Sequence, residues 1–141
     1  MNLRRAIPEI ILFAWAAVML CAAGSAQSAE REIAKPQPKV IQLDTAGKRE
    51  QQLLSGPPET VTMRSGHILL QPGQSVGKHS TGHNEEMLVV LEGQGRMVFD
   101  DGSHLDLSAN HVLYCPPATA HDVLNTGTGV LRYIYIVAHA E

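Results

Sequence analysis

Between Val76 and Gly95 the chain reads VGKHSTGHNEEMLVVLEGQG, two histidines and two glutamates at the entrance to a purely apolar run. Imidazole nitrogen and carboxylate oxygen together suit divalent transition metals such as Fe, Mn, Zn, Ni or Cu, so His79, His83 and Glu86 are candidate ligands. In an extended strand Glu86, Leu88 and Val90 share one face. Burying the two aliphatic side chains carries Glu86 inward with them. An inward carboxylate is costly unless it is paired, hydrogen-bonded or bound to a cation. Glu85 shares the other face with Met87 and Val89, which are also apolar, so alternation alone leaves both glutamates open.

The turn STGHNE follows His79, and a hairpin through it sets His79 opposite Glu86, where both could reach one ion at about 2 Å. His83 lies four residues further on. Along a straight strand it would stand about 13 Å from His79, too far to share an ion. A bend at Gly82 would bring it in. A third donor must come from elsewhere, and PPATAHDVLN offers His121 directly after a rigid double-proline turn, with Asp122 on the opposite face. Heading a strand, His121 could be aimed inward, although spacing alone equally allows a surface histidine. His67, His104, His111 and His139 are expected to be solvated or locally hydrogen-bonded. Cys115 is expected as a small buried side chain, with a redox-active thiol beside a metal as the sharper alternative. Met97 and Phe99 share a face and read as core. Both faces of VLRYIYIV are mostly apolar, so whether Tyr133 and Tyr135 or Arg132 look inward stays open.

The elements that must position these groups are short and β-rich. Turn signals recur every eight to twelve residues across the second half of the chain. GHILLQPG is a strand closed by Pro72-Gly73, and EMLVVLEG is an apolar strand closed by Gly93. RMVFDDGSHLDL is a hairpin around Asp101-Gly102. HVLYCPP, HDVLNTGTG and the long VLRYIYIV complete the series. Lys48 to Leu54 fits either a helical turn or a strand, stopped by Gly56-Pro57-Pro58. With no convincing helical repeat, the reading is an all-β barrel or sandwich, closed because open sheet edges invite aggregation.

The 141 residues suffice for one domain. Residues 1–28 read as a signal peptide: Arg4 and Arg5 precede IILFAWAAVMLCAAG, an uncharged run of 15 residues, and small residues then allow cleavage after Ala26 or Ser28. An uncleaved anchor is the alternative, but the fully apolar part is short for a membrane span. Stable membrane insertion after cleavage is not expected, and the destination is periplasmic or extracellular. Residues 29–39 form a charged, proline-containing linker, and 40–141 the single domain. Removing Arg4, Arg5 and Glu9 leaves 9 basic and 13 acidic side chains, a net charge of −4 with no basic cluster, which argues against nucleic acid as a partner. Cys115 remains alone, so an internal disulfide is excluded.

Two segments resemble the paired motifs of the cupin superfamily, in particular small single-domain, conserved-barrel cupins of the type 2 kind. Gly73, five residues, His79, then Ser80 and Thr81, four residues, Glu86, six residues and Gly93 follow the first motif, with Thr81 where a second histidine belongs. Asn110, Pro116, Ala118, His121 and Asn125 follow the second, with Asn110 and Ala118 in place of glycines. Sixteen residues separate Gly93 from Asn110. The resemblance spans about Gly66 to Val137. It implies a double-stranded β-helix, a cupin jelly-roll barrel, holding a divalent transition metal on His79, Glu86 and His121. Thr81 is not carried over, since a neutral hydroxyl is a poor ligand for such an ion. Three outcomes follow: His83 swings in, water completes the shell, or no metal is held.

Three functions fit. One is a metal-dependent enzyme of oxygenase, decarboxylase or isomerase type acting on a small organic molecule. Another is a non-catalytic cupin binding a small ligand. The last is a metal-free structural β-domain, in which His79 and His121 would lie far apart. Many proteins of this kind are dimers, so a homodimer is among the states the resemblance allows.

Overall fold

In the computed structural model residues 35–45 and 47–140 are described, all within one compact unit. The signal-peptide reading and the first part of the linker fall outside them. Alternating and β-branched runs become eight strands: β1 (Glu50–Ser55), β2 (Arg64–Leu70), β3 (Asn84–Glu92), β4 (Gln94–Phe99), β5 (His104–Ser108), β6 (Val112–Cys115), β7 (His121–Asn125) and β8 (Leu131–His139). The ambiguous Lys48–Leu54 segment resolves as the edge strand β1, since β2 offers it a free edge.

The strands form two antiparallel sheets, ordered β1-β2-β8-β3-β6 and β5-β4-β7. The irregular stretch between Gly73 and His79 lies along β7 and extends the smaller sheet. It does so through bridges Ser75↔Leu124 and His79↔His121 and through bonds such as Val76 N to Val123 O at 3.1 Å. Consecutive strands thus cross between sheets, as a double-stranded β-helix requires. Between the sheets sit Leu70, Leu88, Met97 and Leu131, all fully buried, with Ile68, Val90, Leu113 and Val123 around them. Each such side chain contributes roughly 1.5–3 kcal/mol by leaving water. The β4–β5 hairpin turns at Asp101-Gly102, where Gly102 takes φ 81° and the Asp101 carboxylate accepts from the Ser103 amide. Gly93 permits the exit from β3: a Cβ there would lie 2.1 Å from the Val130 carbonyl oxygen.

Strand pairing settles which faces look inward. Glu86 is opposed by Cys115 on one side and Val137 on the other, in the buried row. Glu85 is turned outward, where it accepts a hydrogen bond from the Tyr114 hydroxyl at 3.2 Å. Tyr133 and Tyr135 face the interior cavity, whereas Arg132 lies on the outer face, 3.4 Å from Glu92.

His104, His111 and His139 are exposed, as expected of solvated histidines. His67 is not. Only 1 % of its surface is accessible, and neither ring nitrogen has a hydrogen-bond partner. His67 is the central residue of β2, whose two faces are both covered. Burial, reinforced by the positive charge of Arg132 and partly offset by Asp44, lowers its pKa below the ordinary histidine value. The unfolded chain therefore takes up a proton at this site before the folded one does. Stability from the neutral ring is complete above about pH 6.5 and is lost as pH falls through the lower folded pKa. Replacing His67 with Leu is expected to raise the urea midpoint and flatten its decline between pH 6.5 and 4.5, read as the difference from wild type.

Candidate metal centre

Two short segments from opposite ends of the domain meet at the bridge His79↔His121. The pairing is reciprocal: His79 N donates to His121 O at 2.9 Å, and His121 N donates to His79 O at 2.8 Å. Their rings stand 4.5 Å apart at an interplanar angle of 61°. Across the gap between the sheets, the Glu86 carboxylate on β3 reaches the same spot, with Oε2 3.1 Å from His121 Nε2. One donor atom from each of His79, Glu86 and His121 falls within a mutual separation of 4.8 Å. Two bonds of about 2.1 Å span at most about 4.2 Å, so small side-chain adjustments bring all three onto one ion.

Both rings are oriented by the same device. His79 Nδ1 donates to the carbonyl of Gly77 at 2.8 Å, and His121 Nδ1 donates to that of Thr119 at 3.0 Å. A carbonyl can only accept, so each Nδ1 carries a proton, and in the neutral ring each Nε2 presents a lone pair. At His121 that lone pair faces a carboxylate oxygen, and neither atom has a hydrogen-bond partner although both are buried. Two acceptors at 3.1 Å repel unless a proton or a cation lies between them. Nearness to the Glu86 carboxylate raises the pKa of His121, more than burial lowers it. The two nitrogens and one carboxylate oxygen fit a divalent transition metal.

His83 does not join the three. The turn does fold back, with Thr81 Oγ1 donating to Asn84 O and Asn84 Nδ2 donating to Thr81 O, both at 2.7 Å. The bend nevertheless leaves His83 exposed, its carbonyl accepting from the Ala140 amide. Among the described residues the group within reach of one ion is His79, Glu86 and His121, without the candidate ligand His83, which the bend at Gly82 leaves exposed. Thr81 does line the cavity, but its hydroxyl is committed to the turn. Cys115 is fully buried, with its sulfur 3.4 Å from His121 Nδ1, the nitrogen turned away from Glu86. Burial first, then the Glu86 charge, raises the thiol pKa, which keeps it protonated and unreactive.

The second segment keeps its shape despite the altered residues. Asn110 and Ala118 both adopt left-handed backbone, with φ of 68° and 57°. Asparagine tolerates this conformation; alanine is strained by about 1 kcal/mol. Ala118 is fixed there by its amide, which donates to Gly82 O at 2.6 Å and ties the two loops flanking the site. Asn125 is buried and pins three segments: its Nδ2 donates to Leu70 O and Gly129 O, and its Oδ1 accepts from Gly127 N.

This chain belongs to the cupins: the cupin domain family matches residues 66–137. Solved structures agree on the fold. A Cupin 2 conserved barrel domain protein from Salinispora arenicola is 24 % identical with a TM-score of 0.61, covering 74 % of this chain and 91 % of its own. An RmlC-like cupin protein from Desulfovibrio desulfuricans is 21 % identical with a TM-score of 0.61, covering 72 % and 97 %. An RmlC-like cupin family protein with a double-stranded β-helix fold from Methanocaldococcus jannaschii is 18 % identical with a TM-score of 0.59, covering 72 % and 91 %. No curated protein matches the sequence.

The left-handed alanine yields a test. Ala118→Gly is expected to stabilise the fold by about 1 kcal/mol in urea denaturation, with metal affinity unchanged, because glycine adopts that backbone without strain.

Proposed function

We propose that this protein is an exported cupin that holds a divalent transition-metal ion on His79, Glu86 and His121 and acts there on a small organic molecule. The observation that carries the proposal is the convergence of donor atoms from His79, Glu86 and His121 within 4.8 Å, with His121 Nε2 and Glu86 Oε2 buried, 3.1 Å apart and without another hydrogen-bond partner among the described residues. Both histidines already commit Nδ1 to a carbonyl, so the acceptor faces are set before any ion arrives. Such preorganised outer bonds are typical of metal-binding histidines. The closeness of His79 to His121 also weighs against the metal-free structural domain, which would keep them apart.

A bound ion would supply Lewis acidity, or electrons if redox-active, towards an oxygen of the substrate. The chain's own residues shape the rest. Glu86 and the exposed His79 line a cavity of about 560 Å³, and His121 lies buried beside them. Ile68, Val76, Val123 and Val137 give that cavity apolar walls that limit water around a bound molecule. Three protein donors would leave further coordination positions of an ion to water or substrate, as a catalytic centre needs. Oxygenation, decarboxylation and isomerisation are the reactions such a centre suits. The committed Thr81 hydroxyl favours a second reading, a cupin that binds a small ligand without turnover.

Metal titration by calorimetry on the apo-protein checks the centre. Glu86→Gln and His121→Ala should each weaken Zn²⁺ or Co²⁺ affinity by at least about 100-fold, whereas His83→Ala should leave it unchanged. Full affinity in the first two variants sinks the proposal. Turnover of candidate organic acids by the loaded protein separates enzyme from binding module. Export is checked by sequencing the N-terminus of the protein from the periplasm or medium, which should begin at Gln27 or Ala29.

A further inference from the structure

The cavity is not electrically uniform, and its asymmetry identifies what it receives. Three cationic side chains, Arg49, Arg64 and Lys78, line it together with two carboxylates, Glu50 and Glu86. Lys78 is engaged by Asp100, with Nζ 2.7 Å from Oδ1, and Arg49 donates to the Ser75 carbonyl at 2.7 Å. The Arg64 guanidinium makes no ion pair or hydrogen bond with a described residue; its charge is felt by the neighbouring Tyr135, whose pKa it lowers against the stronger effects of burial and Glu50.

Register fixes where Arg64 stands. It opposes Val137, and Val137 opposes Glu86, so the three side chains project from one row of the larger sheet towards the same interior. Two strand spacings separate the Arg64 and Glu86 backbones, roughly 10 Å. Gly56 leaves room for the stem of Arg64: a Cβ at residue 56 would lie 3.0 Å from Arg64 Cγ. Gly66, two residues along β2, leaves room for the Tyr135 ring, which would otherwise lie 2.5 Å from a Cβ. The aromatic wall continues to Tyr133, which is 3 % exposed, borders the cavity, and has no hydrogen bond from its hydroxyl to a described residue. Tyr133 lines the cavity, so its hydroxyl can donate to a bound acceptor.

We propose that the ligand of this cavity is a small organic acid, its carboxylate paired with the Arg64 guanidinium and a second oxygen group at its other end directed to the His79–Glu86–His121 centre. The inference rests on the metal-site reading for the second contact only. Arginine matches a carboxylate with two parallel N–H donors. The span between Arg64 and the centre leaves space for a chain of a few carbons, and the Tyr133 hydroxyl adds a donor along the way. Arg64 thus selects for charge at the end remote from the chemistry, where binding energy can orient the reacting end.

The test is calorimetric titration of succinate, and of its neutral analogue succinamide, into the Zn²⁺-treated protein and into the chelator-stripped protein. Wild type should bind succinate at least about 10-fold more tightly than succinamide, as expected of a charge-assisted pair. In the chelator-stripped protein Arg64→Gln should abolish that preference and Arg64→Lys should retain part of it, with thermal melts confirming that both variants are folded. Equal affinity for the two compounds, no saturable succinate binding at millimolar concentration, or an unchanged preference in Arg64→Gln would overturn the assignment. Zinc binding, titrated separately on the same samples, reports on the metal-site reading. An Arg64-dependent preference without zinc binding upholds the carboxylate subsite and sinks the centre; zinc binding without the preference does the reverse.

Discussion

The reciprocal backbone bridge between His79 and His121 is the constraint on which the site depends. Neither residue belongs to a long strand interior; one sits in an irregular stretch and the other at the first position of β7. Their two mutual hydrogen bonds fix the distance between imidazoles more tightly than any side-chain contact could. Because each ring then turns its Nδ1 onto the carbonyl two residues behind, rotation about χ is also limited. What remains adjustable is the third donor, which arrives from the opposite sheet. The Glu86 side chain is held in its row by Cys115 and Val137 on either side. Two independently braced walls thus converge, and the precision of the centre is that of the barrel itself.

Much of this was legible in the sequence. Turn residues punctuated the strands well enough to give an all-β barrel or sandwich, whereas alternation left Glu85 and Glu86 both open, and only the pairing of β3 with β6 and β8 places Glu86 inside. The fate of His83 was not legible, because it depended on how tightly four residues would bend. Thr81 and Asn84 close that bend by exchanging hydrogen bonds, and neither residue type announces this on its own. Nor could alternation assign the two faces of β8, where apolar residues occupy both; only the pairing with β2 and β3 places the tyrosines inside. His67 was misjudged for a related reason. Its burial comes from cover on the outer face of the sheet, a tertiary property that local polarity does not encode.

The departures from the family pattern separate shape from chemistry. At Asn110 and Ala118 the chain keeps a backbone that glycine would adopt more readily, so the loop geometry around His121 survives the loss of both glycines. At Thr81 the opposite holds: the turn is preserved and a nitrogen donor is lost. A centre with two imidazoles and one carboxylate brings the same protein charge as one with a further, neutral histidine but fewer fixed positions. More of its properties then depend on whatever enters the cavity, which is where the guanidinium of Arg64 and the buried wall of Tyr133 gain weight.

Cys115 illustrates a different kind of economy. Its sulfur is sealed from solvent beneath the proline turn, against the back of the His121 ring. A lone thiol on the surface of a protein outside the cell would be open to cross-linking between molecules and to stepwise oxygenation of the sulfur. Enclosed here, it acts as a small apolar filler behind the imidazole, out of reach of oxidants and of thiols on other molecules.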